Sequence, residues 1–175
     1  MEHLKFPIGP FQLKENYTDE ELQKCVEIIR ASPATYRRLV QDLSEEELLK
    51  TYREGSWTIR QLVHHVADIQ LLHYFRMKKA MTEPDYAEAT LIDMGGWAHT
   101  ADSVSAPVED SLLLFEGVHQ RYAYLIESLT PEQLELSYFH PVRNIYFNQK
   151  QAIAISAWHV QHHLAHIELA LGLRV

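Results

Sequence analysis

Apolar residues recur at helical spacing along most of this chain, and that period limits the fold more than any other feature. From Thr18 to about Asp42 the repeat runs through Leu22, Val26 and Ile29. Pro33 falls inside it and predicts a break or kink near Ser32. "SEEELL" opens with Ser44 and has Glu47 three residues on, a capping box for a short helix. Thr58 and Gln61 repeat the device, with Trp57 and Leu62 placed as a hydrophobic staple, and the helix they start runs to about Met81. Arg76, Lys78 and Lys79 near its end suit the helix dipole. A third long helix is expected from about Val108 to Ser128, and a last one from Asn148 to about Gly172. "TPEQL" makes a short helix with Pro131 at its first position, and "SYFHPVRNIYF" reads as extended chain or a small hairpin. Residues 1–17 read as an irregular arm over the body, and residues 83–106 as a long loop. The expectation is an all-α fold, a four-helix bundle with short extra helices and a long loop, in a single domain over residues 1–175.

Charge and composition narrow the partners. A net charge of -8 with no basic run argues against nucleic acid and anionic membrane. No apolar run reaches the roughly 18–20 residues of a membrane span, and "MEHLKFPIGPF" lacks the pattern of a signal peptide. With Cys25 the only cysteine, no internal disulfide forms, and a cytoplasmic location is expected. Cys25 has no activating motif around it, which makes it a poor nucleophile candidate.

The unusual count is histidine, at 11. Four of them fall in "SAWHVQHHLAHIELAL", Ser156 to Leu171. At about 100° per residue, His163 and His166 lie within about 40° of His159, and His162 within about 60°. Lys150 and Glu168 fall on the opposite side, so the histidine stripe points inward. On the second long helix His65 sits in a stripe with Leu62, Ile69 and Leu72, while His64 lies at its boundary. His119 lies among Leu112, Phe115 and Ile126. A buried imidazole needs a partner for each nitrogen, and one divalent metal ion satisfies several at once. Residues four apart on a helix reach a single ion together with a third from another helix. His159/His163 and His162/His166 both have that spacing; the first pair straddles the middle of the inward sector, yet spacing alone leaves both open. A three-histidine set with His65 suits Zn²⁺, Ni²⁺ or Fe²⁺ and keeps a coordination position for water or substrate.

"GSWTIRQLVHHVAD" followed downstream by "AWHVQHHLAHI" resembles the DinB/YfiT superfamily, with "FPIGPF", "YREG" and "YFHP" extending the similarity along nearly the whole chain. The resemblance implies a four-helix bundle holding one metal ion by three histidines. These fall on His65, His159 and His163, which favours that register over His162/His166. It further implies a metal-dependent hydrolase or, as in other members, an enzyme that uses a low-molecular-weight thiol such as bacillithiol or mycothiol; the third reading is a non-enzymatic bundle that binds metal or a small molecule, against which an open three-histidine site argues. A homodimer is also implied, with a small-molecule substrate. For a hydrolase, Asp68, His119 and His162 are the candidate acid–base or positioning residues. The loop residues Asp93, Trp97 and His99 are candidates for the substrate entrance, and Arg60 and Arg121 for a substrate carboxylate, although both arginines read more simply as surface residues.

Overall fold

The computed structural model describes residues 2–174, so the first and last residues of the expected domain lie outside it. In chain order its elements are α1 (Glu2–Lys5), α2 (Asp19–Val40), α3 (Glu45–Leu48), α4 (Ile59–Thr82), α5 (Met94–Trp97), α6 (Ala101–Ser105), α7 (Val108–Glu127), α8 (Pro131–Leu134), β1 (Ser137–His140), β2 (Ile145–Asn148) and α9 (Gln149–Ala170). The long helices α2, α4, α7 and α9 form the bundle. Both α2 and α4 pack against α7 and α9, so α2 and α4 face each other across a diagonal. Helices consecutive in the chain are therefore not always neighbours in space.

The helix starts follow from local chemistry. Thr18, Ser44, Thr58, Thr130 and Asn148 each close a capping box with a Glu or Gln three residues later. Each box satisfies two backbone donors that the first turn leaves orphaned. Helix α2 also carries Asp19, Glu20 and Glu21 in its first turn and Arg37 and Arg38 in its last, which complements its dipole.

Of the break or kink expected near Ser32, the break does not occur: α2 runs through Pro33 as one helix. Proline has no N–H for the carbonyl four residues back, that of Ile29. Here His119 Nδ1 lies 2.6 Å from Ile29 O and takes up that carbonyl from α7. A tertiary hydrogen bond thus replaces the helical one.

Two apolar clusters fill the bundle. One contains Tyr36, Leu62, Val66, Leu112, Phe115 and Ile167; the other contains Leu22, Ile29, Met77, Tyr122, Ile126 and Ile153. Gln70 on α4 and His119 on α7 fall between the two clusters along their helices, and with Ser156 on α9 they form a fully buried polar group. The segment expected as a long loop contains α5 and α6. Asp93 caps α5 by accepting from Gly96 N, while Gln61 Nε2 donates to Ala98 O and ties the segment to α4. Ahead of α5, residues 87–89 are joined to the hairpin, with Ala89 N donating to Phe139 O and Phe139 N to Ala87 O. β1 and β2 pair antiparallel with Tyr138 opposite Phe147, and Asn144 at φ 52° closes their turn.

Candidate metal centre and adjoining cavity

Three imidazoles meet where α4 packs on α9. His65, His159 and His163 each bring one ring nitrogen within 4.8 Å of the others. His65 is fixed by the register of α4, and Trp57, just before the cap, packs on it at a ring separation of 4.6 Å. His159 and His163 stand one turn apart on α9 with ring centroids 4.6 Å apart. Burial lowers all three pKa values, His65 to about 4 and the other two well below the usual histidine range, with mutual repulsion adding to the effect in His159 and His163. All three are neutral at pH 7, the form that ligates metals.

Their geometry fits an ion. His65 Nε2 and His159 Nε2 lie 3.3 Å apart. Two nitrogens held about 2.0–2.1 Å from a tetrahedral centre are separated by roughly 3.3–3.4 Å.

Surrounding groups set the tautomers. His166 Nε2 lies 3.2 Å from Lys5 O and must carry the proton, because a carbonyl only accepts. Its bare Nδ1 faces His163 Nδ1 at 3.3 Å, so His163 donates there and keeps Nε2 free. Tyr52 stacks on His166 at 4.0 Å and holds its ring. For His159 the chain of contacts is longer. His119 donates from Nδ1 to Ile29 O, and burial keeps it neutral with a pKa of about 4, so its Nε2 is an acceptor. That nitrogen lies 3.0 Å from the Gln70 carboxamide, which lies 3.3 Å from His159 Nδ1. Ser156 contacts the same carboxamide, with its Oγ 2.6 Å from the Gln70 oxygen and its carbonyl 3.4 Å from the Gln70 nitrogen, so Gln70 links His119, Ser156 and His159 in one buried polar network. The second histidine cluster, His162, His163 and His166, shares His163 and is occupied by this hydrogen bonding.

The other residues singled out in the sequence lie elsewhere. Asp68 is half-buried on α4, its carboxyl raised to about 6 by burial and then by the charge of Asp102. It belongs to neither histidine cluster. His162 is 7% exposed and stacks on Trp158 at 4.3 Å, with Nδ1 buried and unpartnered. His64 is buried, not at a boundary; its Nδ1 lies 2.7 Å from Ser111 Oγ and its Nε2 3.2 Å from Ala106 O. The Cys25 thiol is pushed up by burial, away from reactivity.

A cavity of about 300 Å³ opens beside His159, between α4, α9, the β1–β2 hairpin and the 83–93 segment. Asp68, His119 and His162 do not line it. Nor do Asp93, Trp97 and His99; their segment contributes Leu91, Ile92 and Met94 instead. The turns around α5 explain the swap: Asp93 is spent as a cap and His99 Nδ1 contacts Gly95 O at 2.7 Å. Arg60 is buried, ion-paired to Glu45 and donating to Ala106 O, so it is neither a surface residue nor near the cavity. Arg121 is exposed and packs over Tyr74. The cavity's arginines are Arg76 and Arg143, which the sequence pattern did not single out for that role. Arg76 reads in sequence as a dipole partner at a helix end; it is in fact buried and donates to Thr90 O.

A four-helix bundle with three inward imidazoles from two neighbouring helices defines the class, a histidine-centred helical bundle with a cavity at the centre's side. The sequence matches the DinB superfamily over residues 28–167, and the chain belongs to that family. Among curated relatives, one from Oceanobacillus iheyensis is 42% identical, with 97% of this chain and 96% of the relative covered. Another from Halalkalibacterium halodurans is 40% identical over 95% of this chain and 96% of its own. YfiT of Bacillus subtilis is 32% identical over 94% of this chain and 92% of its own. All three bear the name "Putative metal-dependent hydrolase". The solved YfiT structure, described as an unusual four-helix bundle topology, superposes with a TM-score of 0.92 at 31% identity, covering 98% of each chain. A mycothiol-dependent maleylpyruvate isomerase shares the fold at 15% identity and a TM-score of 0.66, over 83% of this chain and 60% of its own.

Proposed function

We propose that His65, His159 and His163 hold one divalent metal ion and that the protein is a metal-dependent hydrolase acting on a small molecule in the adjoining cavity. The 3.3 Å approach of two neutral imidazole nitrogens beside a third carries this reading. Two free lone pairs that close repel each other unless a proton or a metal lies between them. Three neutral nitrogens of this kind suit Zn²⁺, Ni²⁺ or Fe²⁺. When bound, such an ion polarises a substrate bond and lowers the pKa of a coordinated water.

The protein groups then divide the remaining work. Gln70 and His166 orient the ligand rings by hydrogen bonding. On this reading His119 acts at one remove, through Gln70. His162 packs against His163 and restrains its ring, with centroids 4.9 Å apart. Asp68, from the α6 side, supplies a carboxyl that changes charge near pH 6. His73 and His140, whose buried Nδ1 atoms lack partners and whose rings line the cavity, meet the substrate's polar atoms.

One observation favours a second reading. Among the described residues, no carboxylate lines the cavity to serve as a base on water. A thiol co-substrate needs no such base once it is held as thiolate at a metal, and thiol S-transfer fits that wall.

Metal content by plasma mass spectrometry of untagged protein tests the core of both readings. Wild type is expected to hold about one ion per chain, His159→Ala none, and His162→Ala the wild-type amount. Wild type that takes up no Zn²⁺, Ni²⁺ or Fe²⁺ overturns both. Loaded protein that cleaves esters or amides without thiol supports hydrolysis; consumption of a thiol only with an electrophile supports transfer.

A further inference from the structure

The cavity beside His159 has a one-sided charge. Besides His159 and Trp158, its polar groups are Arg76, Arg143, His73, His140 and Tyr138, and among the described residues neither Asp nor Glu lines it. The rest of the wall is mostly apolar, with Ile155 on the helix of His159, α9, and Ile69 and Leu72 on α4. Arg76 is 7% exposed. Its Nε and Nη2 both donate to one acceptor, Thr90 O, at 2.9 and 2.6 Å. A carbonyl satisfies those donors but carries no charge to balance the guanidinium. Arg143 stands at the mouth, in the turn between β1 and β2. Neither arginine has a carboxylate in ion-pair reach among the described residues. Arg60 is 4% exposed and is paired with Glu45, whereas Arg76 is as deeply buried and has no acid. The chain carries 24 acidic residues against 16 Lys and Arg, so acids are not scarce. Buried cations are ordinarily paired, and here the partner is missing from the protein. Burial lowers the pKa of the Arg76 guanidinium, in keeping with that cost.

We propose that the cavity binds a carboxylate of the substrate between Arg76 and Arg143, with the substrate's apolar body along Ile69, Leu72 and Ile155 and its reacting end at His159. The guanidinium fork matches a carboxylate in shape and charge. Thr90 O takes one N–H from Nε and one from Nη2 of Arg76, which leaves Nη1 free to meet a carboxylate oxygen. The substrate class is therefore an amphiphilic carboxylate small enough for about 300 Å³. The placement of the reacting end rests on the reading of His65, His159 and His163 as a metal centre; the carboxylate subsite does not.

Calorimetric titration with 4-phenylbutyrate and its neutral amide tests this, on chelator-stripped and on Zn²⁺-loaded protein. Arg143 is exposed in a turn, so Arg143→Gln leaves the core intact; Arg143→Lys retains the charge. In stripped wild type the acid is expected to bind at least about tenfold more tightly than the amide. Arg143→Gln should erase that preference and Arg143→Lys restore part of it. The proposal is overturned if stripped protein binds acid and amide alike, if it binds neither at millimolar concentration, or if the preference survives in Arg143→Gln. Acid binding that appears only after Zn²⁺ loading, and equally in Arg143→Gln, places the carboxylate on the metal; the subsite then fails while the metal centre stands. An Arg143-dependent preference in protein that takes up no metal has the opposite meaning, keeping the subsite and removing the metal centre.

Discussion

At the scale of single residues, Gln70 has the sharpest consequence. It joins His119 to His159, and without its carboxamide both imidazoles lose a buried partner. Gln70→Leu is expected to weaken metal binding about 10–100-fold while leaving the three ligands in place, read by competition with a chromophoric chelator. The same change should cost about 1–3 kcal/mol of stability, because the imidazole nitrogens it faced stay buried. Unchanged metal affinity would show that the amide does not orient His159. Asp68 makes a different prediction. Its carboxyl titrates near 6 in the folded chain and near 3.8 unfolded. Between those values the native state holds a proton that the unfolded state has released, so this group's contribution to stability falls as pH rises from about 4 to 6 and stays lost above 6. Asp68→Asn should therefore stabilise the protein at pH 7, by about 1 kcal/mol for a half-buried group, and leave it unchanged at pH 4. Urea melts at the two pH values check both the sign and the window.

At the scale of elements, α9 carries two of the three ligands, and its start is fixed by Asn148 accepting from Gln151 N at 3.0 Å. Asn148→Ala is expected to cost about 1 kcal/mol in a denaturant melt with metal stoichiometry preserved. Loss of metal along with stability would mean that the cap also sets the register of His159 and His163. The capping boxes and the i,i+4 histidines were legible in sequence because both depend on residues within one turn. Pro33 illustrates the opposite case. The local rule predicts a break or kink, and the bond that lets α2 continue comes from His119, on another helix. Arg76 is a second instance. Position along α4 makes it a dipole partner, but packing of the 83–93 segment over α4 makes it a buried cation.

At the scale of the whole molecule, the histidine content makes folding sensitive to acid. Burial lowers the pKa of nine histidines, at 64, 65, 73, 119, 140, 159, 162, 163 and 166. The folded state then binds fewer protons than the unfolded one below the ordinary histidine value of about 6.5. Stability from these groups is fully present above about 6.5 and is lost as pH falls toward 4. Each excluded proton steepens the dependence by up to about 1.4 kcal/mol per pH unit. The melting temperature should drop sharply over that window, and saturating Zn²⁺ should raise it at pH 7 by binding only the folded form. A melting temperature that stays flat from pH 7 to 5 would show that these rings are solvated.

The amino-acid sequence by itself determined the helices, their caps and the inward face that carries His65, His159 and His163, because helical period and capping act over a few residues. It also carried the DinB family resemblance. Only the tertiary structure decided the diagonal placement of α2 and α4, the repair of Pro33 by His119, and the enclosure of Arg76 and Arg143 beside the histidines. Each of these depends on residues far apart in the chain, whose proximity no local pattern encodes. The physical difference is the range of the interaction: a hydrogen bond within one turn is written in the spacing, whereas the burial of a charge is set by whatever segment comes to cover it.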